Sequence, residues 1–262
     1  MSSSAPEPIK TAEHGAALVI TIDRPHAGNA ISLDTAHALG AALAACRDRD
    51  DLRGVIITGA GGKFFCTGGD VKAYRAITTP TELDTTFGAV RQLLRAIERH
   101  PLPILAAIDG YAIGGGGELA IACDLRFMAD SAQIGFPQAR LGIIPGWNGT
   151  ERLVRLIGRA RAMRLLLNAT RITATEALAI GLVDTVTEDG GALAAALAFI
   201  AGLDVAPLSI RGTKEAIRAA AGDPATSAAA TSAIFARLWF TDDHREAEAA
   251  FVEKRAPVFK GR

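Results

Sequence analysis

Short runs of β-branched and aliphatic residues alternate with helical stripes through the first half of the chain. Leu18-Val-Ile-Thr-Ile22 is a run of strand type. After Ser32 the period changes: Leu39, Leu43 and Cys46 share one helical face, and Asp34 suits a first turn. Gly54-Val-Ile-Ile-Thr58 predicts a second strand, ending in the turn Gly59-Ala-Gly-Gly62. A helix is predicted from about Glu82 to Arg99, because Leu83, Phe87, Val90, Leu94 and Ile97 step by three or four residues. His100-Pro101 stops it, and Ile104 to Ile108 is a third strand leading into glycines.

Repeated β-then-α units imply parallel or spiral sheet layers, an α/β body. Past position 140 the pattern turns mostly helical. Thr173-Ala-Thr-Glu176 is a capping box, and Gly181 stands where its helix should end. After about 204 the chain reads as two or three helices with a basic tail. We therefore expect a core over 1–203 and a helical region over 204–262. The charged run Arg47 to Arg53 reads as a solvated helix end.

Composition narrows the class. Of 262 residues, 49% are hydrophobic and 21% charged, as in a globular protein. Lys+Arg and Asp+Glu balance at 28 each, so no overall field would draw nucleic acid or an anionic membrane, and a phosphate-bearing ligand must be met locally. Cys46, Cys66 and Cys123 are too few and too scattered for a disulfide framework or metal cluster. The opening Met-Ser-Ser-Ser-Ala-Pro has neither a basic nor an apolar leader segment, and no apolar run approaches a membrane span. The expectation is a soluble, reduced, cytoplasmic protein.

Chemistry concentrates in two glycine-rich segments, Phe64-Phe-Cys-Thr-Gly-Gly-Asp-Val-Lys72 and Asp109-Gly-Tyr-Ala-Ile-Gly-Gly-Gly-Gly-Glu-Leu-Ala120. Four consecutive glycines before good helix formers cost backbone entropy. They make sense where N–H groups at a helix start must approach a ligand. Either segment alone could be a tight turn. Two of them, each after a β run, suit a carbonyl oxygen that gains negative charge. Glu118 would sit in the first helical turn beside them, where a carboxylate can serve as a base or simply meet the helix dipole. Neither segment fits a phosphate loop or dinucleotide fingerprint.

Ala107-Ile-Asp-Gly-Tyr-Ala-Ile-Gly-Gly-Gly-Gly-Glu-Leu-Ala-Ile-Ala-Cys-Asp124 resembles the signature of the enoyl-CoA hydratase/isomerase (crotonase) family. So do Ile22-Asp-Arg-Pro, Asn29-Ala30, Gly68 to Lys72, Leu141 to Gly146, Gly149 to Leu153, Ala177 to Val183 and Phe251 to Arg255, in the family's order. The resemblance covers nearly the whole chain. It implies a crotonase-like spiral of ββα units with a C-terminal helical oligomerisation region, forming trimers or dimers of trimers. It implies an acyl-CoA substrate, with coenzyme A carried on the substrate and no separate cofactor or metal. The oxyanion-hole donors would be the N–H groups of Gly69 and Gly115. Gly69, Asp70, Val71 and Lys72 would line the pantetheine and adenine path, with Arg24, His26 and Ala27 at the nucleotide and Tyr111 and Gly114 among the other substrate- or CoA-binding residues. His26 stands where the family usually has lysine, which suggests weaker or pH-dependent phosphate contact. Phe251 and Lys254 lie on a helix resembling one that reaches a neighbour's CoA.

The departure from the pattern is at the second acid. Hydratases of this family use two glutamates; Glu118 matches one, and Gln138, after Pro137, stands at the other. Glutamine can hydrogen-bond but neither gives nor takes a proton, and loss of an acid predicts a penalty of ~10²-fold or more. Trp147 stands where the family has small residues, either against the acyl pocket or packed between lobes. The reading is a hydratase/lyase with Glu118 as general base. An alkylmalonyl-CoA-type decarboxylase, an isomerase, and a paralogue that only binds CoA esters are the alternatives. Cys66 reads as a pocket-lining thiol rather than a nucleophile, His100 as a helix end, Asp124 as a backbone cap, and Trp239 and Phe240 as packing or distal acyl-pocket residues. Neither nucleic acid nor membrane is an expected partner.

Overall fold

A computed structural model describes residues 7–70, 74, 77–222 and 224–262; Val71 and Lys72 lie outside the described residues. In chain order its strands are β1 (Ile9–His14), β2 (Ala17–Ile22), β3 (Gly54–Gly59), β4 (Phe64–Cys66), β5 (Ile104–Ile108), β6 (Tyr111–Ile113), β7 (Leu125–Ala129), β8 (Gln133–Gly135), β9 (Arg171–Thr173) and β10 (Thr185–Thr187). They form a six-stranded sheet, β1-β2-β3-β5-β7-β10, and a four-stranded one, β4-β6-β8-β9. All neighbours are parallel except β1 with β2 and β8 with β9. This is the α/β spiral that the repeated units predict.

Parallel strands are covered on both faces, which is why β3 and β5 read as unbroken apolar runs. One face of the large sheet packs under α1 (Leu33–Cys46) and α2 (Pro80–Arg99), burying Leu39, Leu43, Leu94 and Ile97 against Val55 and Ile57. After α3 (Gly115–Ala122), α4 (Gly149–Ile157), α5 (Arg159–Asn168) and α6 (Ala174–Ala179), the helix α7 (Ala192–Ala201) covers the other face. There Ala192, Ala196 and Ile200 meet Ile56, Leu105 and Ala107.

Helix starts follow their side-chain caps. The Ser32 hydroxyl accepts the Thr35 N–H, and Thr173 and Glu176 form the expected capping box, with Gly181 beyond it at φ 76°. α2 starts earlier than its apolar stripe because Thr79 and Glu82 also form a capping box. Leu83, the first member of that stripe, is exposed.

The C-terminal region is α8 (Pro207–Ala220), α9 (Pro224–Trp239) and α10 (Asp242–Glu253). Two basic residues of α8 fasten it to the core. Lys214, 9% exposed, donates to Ile97 O and Leu102 O at 3.1 Å each and to Asp124 Oδ2 at 2.6 Å. Arg211 donates to the carbonyls of Arg47 and Arg49. The run from Arg47 is thus more than a solvated helix end, since its carbonyls dock α8. The expected cap is corrected: the Asp124 carboxylate, an acceptor only, bonds the Lys214 ammonium and the Ile104 N–H at 2.7 Å instead of its own helix end. Trp239 and Phe240 are exposed in this chain, Trp239 stacking on His244 with ring centres 4.4 Å apart. Among the described residues no helix is long and apolar enough to cross a membrane.

Candidate active site

The two glycine segments meet where the small sheet ends. β4 stops at Cys66, and the following residues bridge to Ile31, whose N–H donates to Gly68 O at 2.8 Å and whose carbonyl accepts from Asp70 N at 3.2 Å. That pattern skips the Gly69 N–H. Gly68 takes φ 101°, and a Cβ there would stand 2.9 Å from the Gly115 nitrogen, so only glycine permits the two segments to touch. On the other side β6 turns through Gly114, at φ 59° and ψ −117°, into α3. The Gly69 and Gly115 N–H groups donate to nothing among the described residues. Gly115 opens α3, where the first N–H groups have no intrahelical acceptor, and the unpaired N–H of Gly69 lies across the same junction.

Glu118 lies on the first turn of α3, 1% exposed. Its two oxygens are held differently. Oε2 accepts the backbone N–H groups of Trp147 at 2.8 Å and Gly149 at 2.9 Å. Oε1 accepts only Gln138 Nε2, at 3.1 Å. Burial pushes the carboxyl up to about 7; the Trp147 and Gly149 N–H groups, the Arg152 cation and the Gln138 amide each pull it back. Gln138 sits on a 3-10 turn, Pro137–Leu141, and is 7% exposed; its Oε1 has no hydrogen-bond partner.

The loop carrying the two donors to Glu118 is itself clamped. Arg152, buried on α4, forms a bidentate pair with Glu98 at 2.8 Å on both contacts and donates from Nη1 to Trp147 O at 2.5 Å. The sequence pattern does not single this residue out, because an arginine on a helix reads as solvated; its burial arises only in the packed fold.

Aromatic rings cover the glycine junction. A Cβ on Gly115 would fall 2.3 Å from Cζ3 of the Trp147 indole, and one on Gly69 would fall 2.1 Å from Cε2 of Tyr74. Trp147, 2% exposed, therefore lies directly against the junction rather than between lobes. Tyr74 stacks on Phe87 with ring centres 4.8 Å apart, and burial pushes its phenol up to about 12.

The remaining candidates spread outward. Arg24 bonds Ala30 O at 2.6 Å and Asp70 Oδ2 at 3.1 Å, tying the two residues to one side of the junction. His26 is exposed and Ala27 half-buried on a 3-10 turn, Pro25–Ala27. The Tyr111 ring packs on Phe64 and beneath the Arg171 guanidinium. Phe251 is 86% exposed, and Lys254 caps α10 in a left-handed conformation, φ 55°. Cys66 is fully buried, accepts the Gly68 N–H, and is pushed up to about 12, which keeps it an inert thiol. His100 caps α2; its Nδ1 accepts the Leu102 N–H, so Nε2 donates to Leu43 O at 3.0 Å. Among the described residues no group of three or more His, Cys, Asp or Glu side chains could hold a metal.

Trp147 and Gln138 tie the buried Glu118 carboxylate to the glycine junction, which gives the chain the site of an enzyme. The chain belongs to the enoyl-CoA hydratase/isomerase family, whose sequence profile matches residues 12–262. It is 38% identical to a putative enoyl-CoA hydratase/isomerase of Bacillus subtilis, over 93% of this chain and 94% of that one. It is 37% identical to the short-chain-enoyl-CoA hydratase of Clostridium acetobutylicum, again over 93% and 94%. The crystal structure of an enoyl-CoA hydratase from Bacillus anthracis superposes with a TM-score of 0.93 at 34% identity, covering 97% of this chain and all of that one.

Proposed function

We propose that the chain adds water reversibly across the C=C bond of a 2-enoyl-CoA thioester, with Glu118 as its single proton-carrying group. The observation that carries this reading is the Glu118 carboxyl, buried beside two unsatisfied N–H groups and poised near neutrality. Water attack at the β-carbon moves charge to the thioester oxygen. The Gly69 and Gly115 N–H groups hold that oxygen; one such donor lowers a barrier by ~2.7–4 kcal/mol. Glu118 takes the water proton and returns it to the α-carbon, so it acts as base and then as acid. In this reading Arg24, His26, Ala27, Asp70, Val71 and Lys72 contact the CoA moiety, and Trp147 bounds the acyl group. The exposed apolar side chains of α9 and α10, among them Phe235, Trp239 and Phe251, support self-association; a trimer or dimer of trimers is the assembly proposed. In that assembly Phe251 and Lys254 extend to a neighbour's CoA.

Gln138 with the indole at Gly115 also suits decarboxylation of an alkylmalonyl-CoA thioester, which needs the same anion seat and less proton transfer. Crotonyl-CoA separates the two readings: hydration bleaches its conjugated absorbance. Release of CO2 from methylmalonyl-CoA without such bleaching would establish the second reading.

A further inference from the structure

Gln138 carries more than the loss of an acid. Its amide is more than nine-tenths buried, and its orientation beside the ionised carboxylate follows from its neighbour: Nε2 faces Glu118 Oε1 at 3.1 Å, since against a carboxylate the turned amide would set two acceptors against each other. The Gln138 carbonyl oxygen, Oε1, then lies buried with no hydrogen-bond partner. A buried acceptor without a partner is costly, and the cost is recovered when a donor arrives. The amide stands beside the glycine junction, where a Cβ on Gly114 would lie 3.8 Å from Nε2. Glu118 is asymmetric in the same direction. Two backbone N–H groups occupy Oε2, leaving Oε1, the oxygen next to Gln138, to carry the proton.

We propose that Gln138 is a water-positioning residue, its carbonyl oxygen accepting one hydrogen bond from the reacting water, or from the β-hydroxyl it becomes, while proton exchange takes place at Oε1 of Glu118. This rests on the hydratase reading and adds the division of labour within it. The step balances. A water lone pair forms the C–O bond to the β-carbon, and the C=C π pair moves through the thioester to its oxygen. One water proton passes to Glu118 Oε1 and then to the α-carbon, restoring the thioester carbonyl. The other stays on the new hydroxyl and remains directed at Gln138. A neutral amide thus gives a donor to the carboxylate and an acceptor to the water. A glutamine at this position therefore keeps the geometry of the missing carboxylate and gives up only its titration.

The test compares two reactions of the full-length enzyme: hydration of crotonyl-CoA, and exchange of the α-protons of butyryl-CoA with D2O. The second needs the anion seat and Glu118 but no water at the β-carbon. Gln138→Met removes the acceptor, and with it the donor to Glu118, with little change of volume; the α-exchange rate reads the second loss by itself. Its hydration kcat should fall about 10²-fold, with KM changed far less, while α-exchange falls no more than about tenfold. Equal loss of both reactions would mean that Gln138 acts only by holding Glu118, and loss of neither would mean that the water is held elsewhere; either result overturns the proposal. Gln138→Glu guards against a folding defect. It keeps an acceptor oxygen and should hydrate at least tenfold faster than Gln138→Met, so failure to do so also counts against the proposal. A wild-type enzyme that exchanges α-protons but hydrates no enoyl-CoA would sink the hydratase reading itself, and the water-holding role with it.

Discussion

The Trp147 N–H donates to Oε2 of Glu118 at 2.8 Å, so the residue whose indole covers Gly115 also holds the carboxylate in place. One loop thus lays its indole on the glycine junction and holds the Glu118 carboxylate of α3, and Arg152 clamps that loop at the Trp147 carbonyl. Side-chain changes on that loop should therefore alter both binding and proton transfer.

A buried carboxyl raised to about 7 sets the pH dependence. Glu118 must be ionised to take a proton, so kcat/KM should rise through about pH 7 and level off above it. Gln138 cannot titrate, so the acid limb should follow one ionisation. A rate profile measured from pH 5 to 9 checks this. A limb in the ordinary glutamate range, near 4.5, would show that Glu118 is not the group being titrated.

Arg152 should behave as a positioning residue. Arg152→Met removes a cation that favours the Glu118 carboxylate and the donor that fixes Trp147 O. The acid limb should move to higher pH and kcat should fall about 10- to 100-fold. The position of the limb separates this from plain destabilisation, because loss of folded protein lowers the rate without moving it.

Stability should depend on pH through the same carboxyl. Its folded value lies above its unfolded one, so the native state binds the proton more tightly. The stabilisation is complete below about pH 4.5 and is lost as pH rises to about 7. Glu118→Gln leaves a neutral group at the site, and the Gln138 amide can turn to accept from it. This variant should be more stable than the wild type at pH 8, by on the order of 2 kcal/mol, with the difference gone at pH 5. Thermal unfolding at the two pH values measures it.

Removing the Lys214 ammonium strips a donor from Ile97 O, Leu102 O and the Asp124 carboxylate together. Lys214→Ala should cost about 2–4 kcal/mol, read as a lower urea midpoint. Lys214→Met keeps the stem packed and should cost less. Equal midpoints for Lys214→Ala and the wild type would show that the ammonium does not fasten α8 to the core.

Much of the fold is legible in the sequence, for physical reasons that differ by element. β3 and β5 are buried on both faces, so their apolar runs stand out, and α2 carries a long stripe. β1 is not visible because Ile9-Lys-Thr-Ala-Glu-His14 is an exposed edge strand held by pairing with β2. β4, β6, β8 and β9 have three residues each, too few to show a period. At the site, the glycines and Glu118 stand out because glycine before a helix is costly without a reason. Arg152 and Lys214 do not, because a lone basic residue on a helix looks solvated until the tertiary fold buries it. The Thr79-Pro-Thr-Glu82 box, which starts α2, does carry a readable signal.

Crotonyl-CoA absorbance, followed with wild-type protein and with Glu118→Gln, tests whether this carboxyl carries the proton. Rapid bleaching by the wild type, lost by about 10³-fold or more in the variant, is the predicted result. Bleaching that survives in Glu118→Gln would contradict the assignment of the proton to this carboxyl.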